Sequence, residues 1–276
     1  MPAFQEKLNG AAERNRSWLC VGLDPEPSKL PEAVRGDPDP VFAFNRAVID
    51  ATGDLVCCYK PQIAFYEALG LEGLRSLQKT FEHLRKKHPA IPVILDAKRA
   101  DVPHTNQLYA KAAFGFWNAD AVTVVCYLGL DTLEPFCKDP TRTAFVVVRS
   151  SNAGARDIQD LPVSPDGSPV YEVLAKKIAG LSWKNVGAVV GATYPEELLV
   201  VRSILPDRVI LIPGVGAQGG DLEAAVKNGR DARGANAVIA SSRSILYASP
   251  GADFAEAARA EAQRLRDAIE SARRTV

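Results

Sequence analysis

This chain has few histidines, a single methionine and no formal net charge. Its 276 residues include three histidines and one methionine, and Lys plus Arg equals Asp plus Glu at 33 each. Zero net charge argues against nucleic acid or a membrane surface as a partner. His83 and His88 fall in a charged, helix-like stretch, so the sequence indicates neither a histidine metal cluster nor a Ser-His-Asp triad, and no metal is expected.

The few cysteines also exclude some classes of protein. The chain has five of them, none in a C-x-x-C pair, and Cys57 and Cys58 are adjacent within an apolar run. This pattern is typical of reduced, buried thiols in a cytosolic protein. The N-terminus lacks the apolar segment of a signal peptide, and no apolar run is long enough to span a membrane. We therefore expect a cytoplasmic protein.

Short apolar runs rich in β-branched residues alternate with longer helix-like stretches. This alternation indicates a parallel sheet with helices packed against it. Eight repeats, in a chain close to the ~250 residues typical of a (β/α)8 barrel, predict one α/β domain over residues 1–276, a single TIM barrel. No G-x-G-x-x-G follows the first run, which disfavours an open dinucleotide-binding sheet. The predicted strands are Leu19–Leu23, Val56–Tyr59, Ile91–Leu95, Ala121–Val125, Ala144–Val148, Val186–Val190, Val209–Ile212 and Ala237–Ala240.

Helices are predicted between these strands and after the last one. They lie near 39–53, 71–87, 103–117, 128–137, 169–181, 194–204, 220–229 and 253–274. The segment Asn152–Ser168 is rich in Gly, Pro, Ser and Asp and is too long for an ordinary connection. A passive surface insertion would explain it, but long loops in compact domains are often functional, so we favour a substrate-covering loop.

Charged residues cluster where the third strand ends. Asp96 and Lys98 are two residues apart, so in a strand their side chains point to the same side, and Asp101 follows just before Pro103. A structural interpretation remains open for each: Asp96 and Lys98 could form a simple ion pair, and Asp101 could cap a helix. Buried unpaired charge is costly, so such a cluster more often occurs where the charges are paired or used.

The ends of the last two predicted strands suggest a phosphate site. Glycines in the segment 213–220 let backbone N–H groups approach an anion closely, and a helix beginning near Gly220 would point its positive end there. Arg243 adds a permanently charged, forked partner for phosphate oxygens. Phosphate sites after strands 7 and 8 recur in barrels, although two glycine turns with a surface arginine would give the same pattern.

Taken together, six strand-end segments resemble the orotidine 5'-phosphate decarboxylase family, and in particular its longer-loop branch. They run from Leu23-Asp24-Pro25 through segments 60–67, 96–102 and 150–152 to 213–220 and Arg243, in the family's order. The family commonly has Gly where this chain has Ala100 and Ile where it has Val102. Neither difference touches a charged group.

The resemblance implies specific roles for nine residues. Lys60, Asp96, Lys98 and Asp101 match the family's catalytic network of alternating Lys and Asp. The implied substrate-binding residues are Asp24 for the ribose (with Lys60), Ser151 or its neighbour Ser150 for the pyrimidine, Gln218 and Arg243 for the phosphate, and Thr105. Asp101 and Thr105 match positions that reach the neighbouring subunit's site, which implies a homodimer.

The implied activity is decarboxylation of orotidine 5'-phosphate to uridine 5'-phosphate (UMP) without a cofactor, the last step of UMP biosynthesis. Two other interpretations stay open. Related sugar-phosphate enzymes share the D-x-K-x-x-D segment but work through a metal-stabilised enediolate, and Lys60 and the Ser151 segment disfavour them. A non-catalytic phosphate-binding barrel is disfavoured because a pure binder gains little from carboxylates around an anionic ligand.

Overall fold

Eight parallel strands form one sheet in the computed structural model, which describes residues 3–215 and 219–274. Consecutive strands pair in parallel from β3 to β8, and β8 pairs with β1, which pairs with β2. The strands are β1 (Leu19–Leu23), β2 (Cys58–Pro61), β3 (Ile94–Arg99), β4 (Ala121–Val124), β5 (Thr143–Arg149), β6 (Val186–Val190), β7 (Ile210–Pro213) and β8 (Ala237–Ser241).

Two isolated parallel bridges close the sheet between β2 and β3. They join Tyr59 to Val93 and Gln62 to Asp96. The Tyr59 N–H donates to the Pro92 carbonyl at 3.1 Å, and the Ile63 N–H donates to the Asp96 carbonyl at 3.1 Å. The predicted barrel is therefore confirmed, and the seam between β2 and β3 is its weakest pairing.

Helices surround the barrel at the predicted places. They are α1 (Phe4–Asn15), α2 (Glu32–Arg35), α3 (Pro40–Thr52), α4 (Ala64–Glu67), α5 (Gly70–Lys87), α6 (Pro103–Ala110), α7 (Glu134–Cys137), α8 (Arg156–Gln159), α9 (Val170–Ala179), α10 (Pro195–Ile204), α11 (Leu222–Gly229), α12 (Arg243–Leu246) and α13 (Phe254–Arg274). The predicted helix 103–117 ends its α-helical part at Ala110 and continues as a π-helical turn over Lys111–Phe116.

Five helices were not predicted: the short helices α2, α4, α8 and α12, each of four residues, and the longer helix α1. In α1, Phe4, Leu8 and Ala11 are buried at a helical spacing among mostly polar residues. Phe4 and Leu8 pack with the residues that fill the barrel interior, and the Phe4 ring meets Phe145 edge-on with centroids 5.5 Å apart. The helix thus covers the end of the barrel where the strands begin.

Apolar residues fill both sides of the strands, as a parallel sheet covered by helices requires. One cluster lies inside the barrel, and a larger one lies between the strands and the helices. The barrel interior is therefore packed, and open space occurs at its ends. Among the described residues, no helix is both long and apolar enough to cross a membrane.

Candidate active site

A cavity of about 460 Å³ lies over the ends of the strands. Active sites of (β/α)8 barrels occupy this carboxyl-terminal face. Charged and hydroxyl side chains from the ends of six strands, β1 to β5 and β8, meet in it. The polar and charged residues in its lining are Asp24, Glu26, Lys60, Asp96, Lys98, Thr123, Ser150, Ser151, Asn152, Ser241, Ser242, Arg243 and Ser244.

Asp96 lies between two lysines. Its Oδ2 accepts from the Lys60 Nζ at 3.1 Å, and its Oδ1 accepts from the Lys98 Nζ at 2.8 Å. The side chains of Lys60 and Asp96 are 7% and 10% exposed, whereas that of Lys98 is 49% exposed. A fixed, buried ion pair therefore supports a second ammonium group that can reach into the cavity.

The same arrangement sets the charge of the buried groups. Burial alone would raise the pKa of Asp96, but the ammonium groups of Lys60 and Lys98, followed by hydrogen bonds from Lys98 and Thr123, hold it well below its usual range. Burial opposes the charged form of Lys60, yet the carboxylates of Asp24 and Asp96 raise its pKa above the ordinary value. At neutral pH the pair is a carboxylate and an ammonium ion.

The third strand extends further than the sequence predicted. We expected it to end at Leu95, but β3 covers Ile94–Arg99 and carries both Asp96 and Lys98. The prediction failed because a run of charge usually marks a loop. Here the barrel cavity receives the charged side chains while the backbone continues beside β4.

Asp24 and the serines at the end of β5 occupy two further sides of the cavity. The Asp24 Oδ1 accepts from the Gln62 N–H at 3.2 Å, which connects the ends of β1 and β2. The Ser150 hydroxyl is engaged with Asn152 Oδ1 at 2.6 Å and with Gln159 at 3.0 Å. Within the described part of the chain, the Ser151 hydroxyl has no such partner.

The strand-7 and strand-8 ends agree only partly with the predicted phosphate site. Arg243 is exposed, begins α12 and lines the cavity. The helix after β7 begins at Leu222, and its first turn is capped by the Asp221 carboxylate, which accepts from the Ala224 N–H at 3.1 Å. The predicted helix after β7 is therefore present, with its first residue two positions beyond Gly220, and its role in binding phosphate stays a prediction. Gln218 lies outside the described residues.

Two predicted site residues are not in this cavity. Asp101 and Thr105 are absent from its lining, and the Asp101 Oδ1 accepts from the adjacent Val102 N–H at 2.7 Å. The helix α6 is capped at Val102 without a side-chain hydrogen bond, so Asp101 is not its cap. The chain therefore brings together Asp24, Lys60, Asp96, Lys98, Ser151 and Arg243, and leaves Asp101 and Thr105 outside.

Comparison with known proteins agrees with this geometry. Residues 17–260 match the model of the orotidine 5'-phosphate decarboxylase / HUMPS family. The chain belongs to this family. A Cellvibrio japonicus relative named orotidine 5'-phosphate decarboxylase is 50% identical over 275 residues, which cover 98% of this chain and 99% of that protein.

Solved structures give the same assignment for the fold. The Leishmania donovani orotidine monophosphate decarboxylase matches with a TM-score of 0.84 and 35% identity, covering 99% of this chain and 100% of that one. The Leishmania donovani UMP synthase matches with a TM-score of 0.86 and 36% identity, and this chain spans 56% of its length. The TIM barrel and the family resemblance predicted from sequence are both confirmed.

In this family member, sequence analysis missed three residues that shape the site, namely Thr123, Arg149 and Gln159. Thr123 on β4 donates a hydrogen bond to the Asp96 Oδ1 at 2.7 Å. Arg149 is fully buried, stacks on the Tyr194 ring at 3.7 Å, and donates to Gln159 Oε1 at 3.2 Å. The available signals were a polar residue inside an otherwise apolar strand for Thr123, and a charged residue directly after a predicted strand for Arg149.

The loop after β5 is folded rather than irregular. It contains a 3₁₀ turn at Ala153–Ala155 and the helix α8, and a bridge joins Pro162 to Pro169. Gln159 on α8 accepts from the Ser150 N–H at 2.9 Å, so the loop is tied to the strand end beside the cavity. Only Asn152 of the segment 152–168 lines the cavity within the described residues.

In residues 3–215 and 219–274, no three or more His, Cys, Asp or Glu side chains are placed to hold a metal ion. The five cysteines are free thiols. Asp96, the buried acid of the cavity, instead forms ion pairs with Lys60 and Lys98.

Proposed function

We propose that this chain, acting as one barrel domain over residues 1–276, decarboxylates orotidine 5'-phosphate to UMP without a cofactor. This is the last step of UMP biosynthesis. The observation that carries the proposal is the buried Lys60–Asp96 pair with Lys98 beside it in the cavity. The family membership and the near full-length match to proteins named orotidine 5'-phosphate decarboxylase support it.

The chemical problem is electronic. Loss of CO₂ leaves negative charge at C6 of the pyrimidine, and nothing in the substrate delocalises it. An ammonium group already in place can stabilise that charge without reorganisation and can then donate a proton to the carbon. Lys98 is assigned this role because its ammonium group is partly exposed to the cavity while Asp96 holds it in place.

Asp96 is assigned a position near the leaving carboxylate. Its low pKa makes it an anion in the unliganded chain. Two like charges about 4 Å apart repel by about 4 kcal/mol at an effective dielectric constant near 20. That repulsion is relieved when CO₂ leaves, so an anionic Asp96 favours the reaction in the forward direction. Lys60 holds Asp96 from the other side.

The remaining cavity residues fit the other parts of the nucleotide. Asp24 and Lys60 are assigned to the ribose hydroxyls. Ser151 is assigned to the pyrimidine edge, since the Ser150 hydroxyl is already bonded to Asn152 and Gln159. Arg243 is assigned to the phosphate, together with Gln218, because a guanidinium group binds phosphate oxygens in a forked geometry.

A homodimer with shared sites is part of the proposal. Asp101 and Thr105 lie outside the chain's own cavity, at the start of α6. Large apolar side chains are exposed on α6 and the loop after β4, and exposed apolar patches often mark interfaces. They are Val102, Leu108, Tyr127 and Leu128. The Asn106 side chain donates to the Thr132 carbonyl at 3.0 Å, which joins these two segments into one face.

A cytoplasmic location is also proposed, and free thiols at all five cysteines support it. The deciding experiment is an ultraviolet assay of orotidine 5'-phosphate turnover by the purified chain, with and without EDTA. We expect turnover that EDTA leaves unchanged. Absence of turnover would refute the proposal. Turnover of a sugar phosphate that EDTA abolishes would favour the metal-dependent enzymes of the same family.

A further inference from the structure

We propose that Thr123 is a positioning residue that fixes both Asp96 and the backbone carrying Lys98 in their reactive arrangement. The inference rests on the proposed function and assigns a role to a residue outside the Lys and Asp network. Its basis is one buried hydroxyl that makes three hydrogen bonds to β3. Each of these bonds acts on the segment that holds the two charged groups.

The pairing between β3 and β4 is interrupted beside the charged cluster. Leu95 pairs with Val122, but the next pair is Arg99 with Val124. Between these two pairs the chain therefore advances by four residues in β3 but by only two residues in β4. The two extra residues leave backbone N–H groups without a partner in the ladder, and buried N–H groups require one.

The Thr123 hydroxyl supplies that partner. Its Oγ1 accepts from the Ala97 N–H at 3.0 Å and from the Lys98 N–H at 2.9 Å. A hydroxyl has two acceptor lone pairs and one proton. Since both lone pairs are used, the proton is available for the Asp96 Oδ1, which lies 2.7 Å away. The direction of all three bonds is thereby determined.

The backbone at Lys98 needs this support. Lys98 has φ of 45°, in the left-handed region. The other described non-glycine residues with positive φ are Arg16, which ends α1, and two asparagines, which tolerate this region better. A lysine there persists only if its surroundings hold it, and such strain concentrates at functional sites.

The choice of threonine also fits the role. Thr123 is 1% exposed, and its branched Cβ restricts the side-chain rotamer, so the hydroxyl has one direction. Valine has the same shape without the hydroxyl. Serine keeps the hydroxyl without the methyl group, and alanine lacks both. The Ser and Ala variants therefore differ by one oxygen atom.

The test compares Thr123→Val, Thr123→Ser and Thr123→Ala with the unchanged chain. The control is Thr143→Val, which changes a buried threonine at the start of β5, at the opposite end of the barrel. For each protein, kcat and KM for orotidine 5'-phosphate are measured, with calorimetric binding of UMP. Exchange of the UMP C6 hydrogen for deuterium, followed by NMR, reports on the C6 carbanion without CO₂ loss.

We expect kcat and C6 exchange to fall together by about 100-fold in Thr123→Val, since a displacement of about 1 Å costs that much. KM and the Kd for UMP should stay within about threefold, because the ligand contacts remain. Thr123→Ser should retain most of the rate, and Thr123→Ala should resemble Thr123→Val. Thr143→Val should match the unchanged chain.

A kcat for Thr123→Val within about threefold of the unchanged chain would refute the role. Equal losses in Thr123→Ser and Thr123→Ala would refute it too, because packing rather than the hydroxyl would then matter. UMP binding at one site per chain shows that a variant is folded. If Thr123→Val does not bind UMP in this way, the comparison of Thr123→Ser with Thr123→Ala decides whether the hydroxyl group has the proposed role. If the unchanged chain turns over no orotidine 5'-phosphate, the proposed function itself fails.

Discussion

Lys60 and Asp96 form an ion pair across the seam where the barrel is closed by two isolated bridges, with Nζ 3.1 Å from Oδ2. Charge attraction thus acts where the strand pairing is weakest. Removing one partner of a buried pair leaves the other charge uncompensated and is strongly destabilising. The pair therefore contributes to the closure of the barrel as well as to the cavity.

This pair predicts a stability that depends on pH. The folded-state pKa of Asp96 is depressed, so its contribution is present above its unfolded pKa of about 3.9 and is lost as pH falls through the folded value. We expect Asp96→Asn to lower the free energy of unfolding at pH 7 by about 3 kcal/mol. Urea unfolding at a series of pH values should show the difference shrinking below about pH 4.

An exposed acid on α8 provides the control for that measurement. Asp157→Asn should change the free energy of unfolding little at any pH, because Asp157 is exposed. A difference between the unchanged chain and Asp96→Asn that stays constant into the acid range would contradict the prediction. It would mean that Asp96 has an ordinary pKa in the folded chain.

Lys98→Ala should abolish turnover and preserve ligand binding. The Lys98 ammonium group is the assigned proton donor, and a positioned general acid contributes about 10²–10⁴-fold. We expect kcat to fall by at least about 10³-fold while UMP still binds in calorimetry. Lys177→Ala, at an exposed position on α9, is the matched control. Substantial kcat in folded Lys98→Ala would exclude Lys98 as the donor.

Arg243→Ala should mainly weaken substrate capture. Its assigned contact is the phosphate, and a charge-assisted hydrogen bond contributes about 1.5–3 kcal/mol, so kcat/KM for orotidine 5'-phosphate should fall about 10- to 100-fold. Some loss of kcat is compatible if phosphate binding orients the ring. Orotidine lacks the phosphate, so its turnover separates loss of phosphate binding from a direct effect on the reacting ring.

With orotidine, Arg243→Ala and the unchanged chain should react at equal rates. Arg14→Ala, at an exposed position on α1, should match the unchanged chain for both substrates. Unchanged kcat/KM for the nucleotide would remove Arg243 from the site. An equal loss for orotidine would show that the arginine acts on the reacting ring.

The sequence was sufficient to predict the barrel because its signals are local. β1 and β6 begin and end at the predicted residues, since short apolar runs define them, with Asp24 directly after β1 and Asn185 directly before β6. The end of β3 was misplaced because charged residues inside a strand are stable only with partners from elsewhere. Lys60 and Thr123 are such partners, and pairing across 36 and 27 residues leaves no local pattern.

The site could be predicted in part for the same reason. In a barrel, residues at the carboxyl ends of the strands lie on one face. This rule was enough to place Asp24, Lys60, Asp96, Lys98 and Arg243 together. The roles of Arg149 and Gln159 depend on how the loop after β5 folds back. Their contacts form only in the tertiary structure.

The proposed homodimer predicts that each active site combines two chains. Asp101 lies outside its own chain's cavity, and an interface with two-fold symmetry exchanges the same residues in both directions. Lys98→Ala and Asp101→Ala should each be inactive alone. When they are unfolded together and refolded, each mixed dimer has one site with both changes and one with neither.

Random pairing makes half of the dimers mixed, so about a quarter of the sites should regain full activity. Activity per site after mixing is the measurement, and native mass spectrometry gives the fraction of mixed dimers. A mixture of Lys98→Ala with Lys98→Met is the control, because none of its sites can contain Lys98. If activity stays at the parental level although mixed dimers are present, Asp101 acts within its own chain. In that case the segment between Arg99 and Pro103 would have to move so that Asp101 enters the cavity of its own chain.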